Sequence, residues 1–139
     1  MILALHDFKG DWQITRQIED RRAGRVGRLQ GSAGFTPDDT GLIYKENGLL
    51  HFSGQPPLNA TQTYHWRQDG AQLSIRFADG RDFHRFDPAQ GKPRASHDCP
   101  PDWYKVVYNF SKWPTWSSTW TVSGPRKDYT SVTTYKRAG

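Results

Sequence analysis

Residues 64–86 read YHWRQDGAQLSIRFADGRDFHRF, three short runs of alternating apolar and polar residues separated by two Asp-Gly pairs. Asp-Gly between such runs predicts a two-residue hairpin turn, because a type I′ turn needs positive φ at both central positions. Turns centred on residues 69–70 and 79–80 place residue 66 opposite 73, 75 opposite 84 and 73 opposite 86. One face then carries Tyr64, Trp66, Leu73, Ile75, Phe77, His84 and Phe86, and the other carries His65, Arg67, Ser74, Arg76, Phe83 and Arg85. We therefore expect His84 to point inward among apolar neighbours.

The rest of the chain continues this pattern. Further strands are predicted from residue 11 to about 22, 26 to 36, 42 to 46, 49 to 53, 104 to 110, 116 to 122 and 129 to 137, with Asn47-Gly48 as another hairpin turn. Residues 87–101 are expected to be irregular. Leu3 to Phe8 form at most one helical turn, suited to a plug or lid. Sequential tight hairpins favour an all-β, up-and-down antiparallel barrel of about nine or ten strands over a Greek-key sandwich.

Length and composition are consistent with this fold. The chain has 139 residues, which predicts a single β-barrel domain over residues 1–139 that buries roughly two-thirds of its unfolded surface. Six Trp, six Tyr and seven Phe in an otherwise polar chain suit strands with one wet face and one aromatic face. Cys99 is the only cysteine, so no intramolecular disulfide can form. Because neither a signal peptide nor a membrane-spanning run is recognisable, we expect a cytoplasmic protein.

The charge balance gives a weaker indication of partners. Lys and Arg number 19 against 14 Asp and Glu, a formal net charge of +5 that favours anionic partners in general. The densest basic cluster flanks the first turn and comprises Arg21, Arg22, Arg25 and Arg28. It is either a solvated hairpin end or a surface that contacts phosphates, nucleic acid or another protein.

The two ends of the chain resemble the lipocalin and wider calycin pattern. Gly10-x-Trp12 begins the first strand and Arg137 ends the last. The resemblance implies a β-barrel cup for a small ligand, in which the Trp closes one end and the C-terminal Arg packs over it. Fatty-acid-binding members hold a carboxylate with inward Arg and Tyr side chains, residue types that this chain also offers.

A second resemblance spans nearly the whole chain and is to a family of uncharacterised domains of about this length. It implies no function. The motifs that carry it are Gly10-Asp11-Trp12 with Arg16, Tyr44-x-Glu46, Asp79-Gly80-Arg81 with Phe83-His84, His97-x-Cys99, Asp102-x-Tyr104 and Gly124-Pro125-Arg126-Lys127-Asp128-Tyr129.

Polar residues that alternation places inside the barrel are candidates for binding. A guanidinium in an apolar cup is costly unless it is paired, and it suits a carboxylate or phosphate. Arg16 therefore either anchors an anionic head group or pairs with an acid such as Glu46. Arg137 either serves in the same way or stacks on Trp12. We predict a small, anionic and partly apolar ligand inside the barrel, held by Arg16, Tyr64, Trp66, Phe77, His84, His97, Tyr104, Trp120, Arg126 and Tyr135.

Two other functions stay open on the sequence. His84 or His97 could act as an acid or base in the same cup, which would make the protein a small-molecule enzyme. The basic cluster at the first turn could instead serve as a surface interaction module. His97-x-Cys99 with Asp102 has metal-ligand types, but a closed zinc site wants four ligands and no second pair is evident, so no metal site is predicted. The sequence leaves the cofactor unknown.

Overall fold

The computed structural model describes residues 2–139, which form one short 3₁₀ helix and ten antiparallel strands. The helix is Leu5–Phe8. The strands are β1 Gly10–Asp20, β2 Arg25–Pro37, β3 Leu42–Phe52, β4 Leu58–Asp69, β5 Gln72–Phe77, β6 Asp82–Phe86, β7 Arg94–Cys99, β8 Asp102–Asn109, β9 Trp116–Ser123 and β10 Asp128–Arg137. Among the described residues, no helix has the length and hydrophobicity needed to span a bilayer.

The strands form one sheet that curls into a nearly closed up-and-down barrel, as the hairpin pattern predicts. Its order is β6-β5-β4-β3-β2-β1-β10-β9-β8-β7, so every strand pairs with its neighbours in sequence, apart from β6 and β7, and β1 also pairs with β10. In the described part of the chain, β6 and β7 are the two edges and no ladder joins them. Side chains cover this seam, since the His97 ring lies 5.3 Å from that of Phe83 and 5.6 Å from that of Phe77.

The helix at the start of the chain plugs one end of the barrel. Phe8 is fully buried and packs against Trp66, Trp113 and Trp116 at ring distances of 5.0–5.4 Å. The indole N–H of Trp12 donates to the carbonyl of Phe8 at 2.9 Å. These contacts make an aromatic floor beneath the barrel interior.

Arg137 locks this floor from outside. Its guanidinium lies 4.0 Å from the ring of Trp12 and donates to the backbone oxygens of Lys9, at 2.7 Å, and Asp7. Of the two roles left open for Arg137, the structure therefore shows stacking on Trp12. These contacts connect β10, the last strand, to the 3₁₀ helix that precedes β1.

The opposite end of the barrel carries the other set of loops. Because successive strands run in opposite directions, the loops at residues 21–24, 53–57, 78–81, 100–101 and 124–127 all lie at the end away from the 3₁₀ helix. We call this end the mouth.

The predicted hairpin at Asn47-Gly48 is wrong, because residues 42–52 form one continuous strand. Gly48 pairs directly with Gly31 on β2. A Cβ built on Gly31 would collide with the backbone oxygen of Asn47, so glycine is needed here for close strand approach rather than for a turn. Residues 87–101, predicted to be irregular, contain the strand β7. Because one predicted pair of strands is a single strand and one strand was not predicted, the total number of strands still agrees with the prediction.

The meander at residues 64–86 differs from prediction in two details. Its first turn is one residue later, so Trp66 pairs with Ile75 rather than Leu73; a shift of two in register keeps each side chain on its predicted face. In the second hairpin, 75 pairs with 84 and 73 with 86 as predicted, but a bulge follows Ile75. Consequently Phe83, expected on the wet face, is buried beside His84.

We expect Arg137→Gln to lower the free energy of unfolding by about 1–3 kcal/mol, because it removes a cation–π contact and two charged hydrogen bonds that hold the plug. Urea unfolding followed by Trp fluorescence measures the change. Lys136→Gln, an exposed neighbour, is the control and should change stability by less than about 0.5 kcal/mol. Equal losses in both variants would show that Arg137 does not secure the floor.

Gly31→Ala should destabilise the barrel by about 1–3 kcal/mol, because the added methyl group forces β2 and β3 apart. Gly91→Ala, where a Cβ meets nothing within 4 Å, should be neutral within about 0.5 kcal/mol. Thermal unfolding by circular dichroism compares them. A neutral Gly31→Ala variant would be incompatible with the close pairing of Gly31 and Gly48.

Candidate functional site: an internal cavity

A cavity of about 320 Å³ occupies the barrel between the aromatic floor and the mouth. Exposed residues of β4, Thr61 and Gln62, form part of its wall near the mouth. The other lining residues are Arg16, Tyr44, Glu46, Ala60, Tyr64, Trp66, Ile75, Phe83, His84, Tyr104, Tyr108, Ser118, Trp120, Val122, Tyr129, Ser131, Thr133 and Tyr135. One side of the wall is thus mainly aromatic, and another carries a polar network.

The polar network is built around an ion pair between Arg16 on β1 and Glu46 on β3. Both nitrogens of the guanidinium fork donate to the carboxylate, Nη1 to Oε2 and Nη2 to Oε1, each at 2.8 Å. Arg16 Nε donates to Thr133 Oγ1 at 2.6 Å. Only 19% of the Arg16 side chain and 6% of that of Glu46 are exposed, so solvent screens this bidentate pair weakly.

Two tyrosines hold the carboxylate in place. The hydroxyl of Tyr44 donates to Glu46 Oε1 at 2.6 Å and lies 3.1 Å from the hydroxyl of Tyr135.

Burial opposes the charged form of Arg16, but the hydrogen bonds and charge of Glu46 outweigh it and raise the Arg16 pKa. Burial also raises the pKa of Tyr44 well above its ordinary value, so this phenol stays protonated.

His84 lies in the wall as an uncharged side chain. Its Nε2 forms a hydrogen bond of 2.8 Å with the hydroxyl of Tyr108. Burial, reinforced by nearby His97, lowers the pKa of His84 from 6.5 to about 3. The other ring nitrogen of His84 and the indole nitrogen of Trp66 are buried without a hydrogen-bond partner among the described residues.

The aromatic side of the wall is a stack that includes the bulged residue. Phe83 lies parallel to Trp120 with ring centroids 5.0 Å apart, and it stacks at 5.4 Å on Tyr64. Trp120 also meets the edge of His84 at 5.1 Å. The bulge in β6 therefore supplies both a stacking ring and a histidine to the same stretch of wall.

The structure brings most of the sequence-predicted site residues together. The cavity is lined by Arg16, Tyr64, Trp66, His84, Tyr104, Trp120 and Tyr135. Phe77 and His97 do not line it but pack around Phe83 at the seam. Arg126, predicted as one of the residues that hold the ligand, lies outside the barrel in a groove near the mouth with Asp20, Arg22 and Lys127, because it belongs to a loop rather than a strand.

Several lining residues were missed in the sequence. Tyr108, Ser118 and Thr133 alternate in register with inward residues of their strands, but nothing local distinguishes a cavity wall from a filled core. Glu46 was identified only as a partner for Arg16, and the structure shows that pairing. His97 and Cys99 lie on a half-covered edge strand, and the described residues contain no cluster of three or more metal-ligating side chains.

The fold and the site define a class of protein. It is an antiparallel β-barrel, plugged at one end, with an internal cavity lined by aromatic and polar side chains. The chain belongs to a family of unknown function (DUF6314), which matches residues 8–137. The resemblance to a family of uncharacterised domains is thereby confirmed. A search of the curated proteins finds no match.

Two solved structures with TM-scores above 0.5 share the fold at low sequence identity. An S-type phycobiliprotein lyase, CPES, from Guillardia theta superposes with a TM-score of 0.66 at 8% identity, covering 99% of this chain and 94% of that one. A protein of unknown function from the DUF3598 family of Nostoc punctiforme gives 0.61 at 13% identity, covering 99% and 50%. A redesigned β-barrel, mFAP1, bound to DFHBI gives 0.45 at 17% identity, covering 96% and 98%.

The lowered pKa of His84 predicts a pH-dependent stability. Unfolded His84 regains its ordinary pKa of 6.5, so between pH 6.5 and about 3 the unfolded state binds a proton that the folded state does not. This group therefore costs stability as the pH falls through that window, by at most about 1.4 kcal/mol per pH unit.

Urea unfolding of wild type and His84→Gln at pH 7 and pH 4.5 measures this effect. The variant should lose less stability than the wild type on acidification, whereas His51→Gln, at an exposed position, should follow the wild type. Parallel pH profiles for wild type and His84→Gln would mean that burial does not keep His84 neutral.

Proposed function

We propose that this protein binds one small, partly apolar ligand inside its barrel, through stacking on the aromatic wall and hydrogen bonds to the Arg16–Glu46 pair. The observation that carries the proposal is a cavity of about 320 Å³ into which a partly buried ion pair projects. Ligand sites typically occupy about 300–1,000 Å³ and combine apolar walls with a few placed polar groups. The likeness to the phycobiliprotein lyase concerns the fold, and the cavity's own residues support binding.

The polar network has unused hydrogen-bonding capacity. A guanidinium carries five N–H donors, and three of those on Arg16 are engaged by Glu46 and Thr133. The remaining two, with the one lone pair left on Glu46 Oε2, can bind a ligand that offers both an acceptor and a donor. The rings of Tyr64, Phe83 and Trp120 line the cavity and offer the apolar part of a ligand a surface to pack against.

The other functions considered on the sequence have less support. A histidine with a pKa of about 3 is a weak base at neutral pH, so His84 is poorly suited to acid–base catalysis. His97 does not line the cavity. In the basic cluster, Arg21 pairs with Asp128 at 2.9 Å and Arg25 lies 3.6 Å from Asp20, which lowers the net charge that this surface offers to a polyanion.

Fluorescence titration with N-phenyl-1-naphthylamine, an uncharged aromatic probe, tests for binding inside the barrel. We expect saturable binding with one site per chain. Ala60→Trp, which adds an indole to the cavity wall, should weaken binding at least tenfold. Asn59→Trp places the same group at the neighbouring exposed position and should leave binding unchanged. Absence of saturable binding in the wild type, or equal effects of the two variants, would overturn the proposal.

A further inference from the structure

We infer that Glu46 is a specificity-determining residue that makes the cavity select uncharged aromatic ligands and reject anions. The inference rests on the proposed function, and it assigns a ligand class that differs from the anion expected from the sequence. A lone inward arginine would recruit a carboxylate or phosphate. In this barrel the anion that Arg16 binds belongs to the protein itself.

The charges that face the cavity sum to zero. Arg16 from β1 and Glu46 from β3 are the only Lys, Arg, Asp or Glu residues among those that line it. His84 from β6 is neutral, since burial lowers its pKa to about 3. Burial likewise raises the pKa of Tyr64 to about 12 and keeps that phenol neutral. A ligand with a full charge would therefore enter a site that offers no net counter-charge.

The geometry also leaves an anion no favourable place at Arg16. Glu46 occupies the two-pronged face of the guanidinium that carboxylates and phosphates use, and Thr133 occupies Nε. An anion at the remaining N–H groups would lie next to the Glu46 carboxylate. Repulsion between like charges is stronger at a mostly buried site than in bulk water, because the effective dielectric constant is lower. An uncharged acceptor at the same position meets no such repulsion.

Glu46 cannot easily turn away to release Arg16. Tyr44 donates to its Oε1 at 2.6 Å, and Tyr135 lies against the Tyr44 hydroxyl at 3.1 Å. The two guanidinium bonds complete a hydrogen-bonded frame around the carboxylate. The pair is thus a fixed part of the wall, and an incoming anion would have to break several hydrogen bonds to displace it.

The test compares two probes that share one aromatic skeleton. N-phenyl-1-naphthylamine is uncharged, and 8-anilinonaphthalene-1-sulfonate carries an added sulfonate. Binding is measured at about 0.15 M salt, close to physiological ionic strength. The cavity component is the part of the binding that Ala60→Trp weakens and Asn59→Trp does not. We expect wild type to bind the uncharged probe at least tenfold more tightly, although the chain's net charge of +5 favours the sulfonate.

Glu46→Gln is the decisive variant, because it keeps the shape of the side chain and removes its charge. We expect the sulfonate probe to bind at least tenfold more tightly than in wild type, and the uncharged probe is measured on the same variant so that this gain is expressed relative to it. The double variant Arg16→Gln with Glu46→Gln removes both charges and should return the sulfonate to its weak wild-type affinity. Circular dichroism verifies that each variant is folded.

The outcomes separate the two proposals. If wild type binds neither probe inside the barrel, the proposed function fails and the charge selectivity fails with it. If wild type binds the sulfonate probe in the cavity as tightly as the uncharged one, ligand binding stands and the inference about Glu46 is overturned. That inference is also overturned if Glu46→Gln folds but leaves the affinity for the sulfonate unchanged. The wild-type comparison decides the matter even if that variant does not fold.

Discussion

The interior of this barrel depends on the pairing of one largely shielded but not fully buried arginine, Arg16, with one buried glutamate, Glu46. The two residues lie on β1 and β3, which are not adjacent because β2 runs between them. The small residues Gly31 and Ala33 belong to the part of β2 that lies between Arg16 and Glu46. Removing either partner would leave the other charge mostly buried and unpaired, which would lower the free energy of unfolding by about 3–5 kcal/mol. The pair therefore fixes the polar side of the wall and at the same time neutralises it.

The rest of the architecture makes the barrel a cup that is closed at one end. An up-and-down meander sends alternate loops to opposite ends, and the chain's first helix fills one of them with Phe8. Arg137 then fastens the last strand to that plug. Strand ladders stop at the seam between β6 and β7, where the rings of Phe83 and His97 meet instead. The mouth is the end of the barrel that this plug does not fill.

The departures from sequence expectation share a physical cause, since each depends on contacts between strands. Asn47-Gly48 has the composition of a hairpin turn, yet Gly48 serves the close approach of β2 and β3. Alternation puts Phe83 on the wet face, but one extra residue in β6 rotates it into the cavity. Local propensity depends on neither the position of a neighbouring strand nor the curvature of the sheet. The two-residue alternation of apolar and polar side chains therefore could not reveal the close approach at Gly48 or the bulge at Phe83.

The amino-acid sequence alone determined the class of fold, the inward direction of Arg16, His84 and Tyr135, and the stacking of Arg137 on Trp12 as one of two alternatives. These follow from strand period, turn composition and the cost of burying polar groups, which are local properties of the chain. Only the tertiary structure decided that the interior holds a cavity and that Arg16 is already neutralised. A strand's pattern shows which side chains point inward, whereas the empty volume and the pairing of charges depend on how distant strands meet.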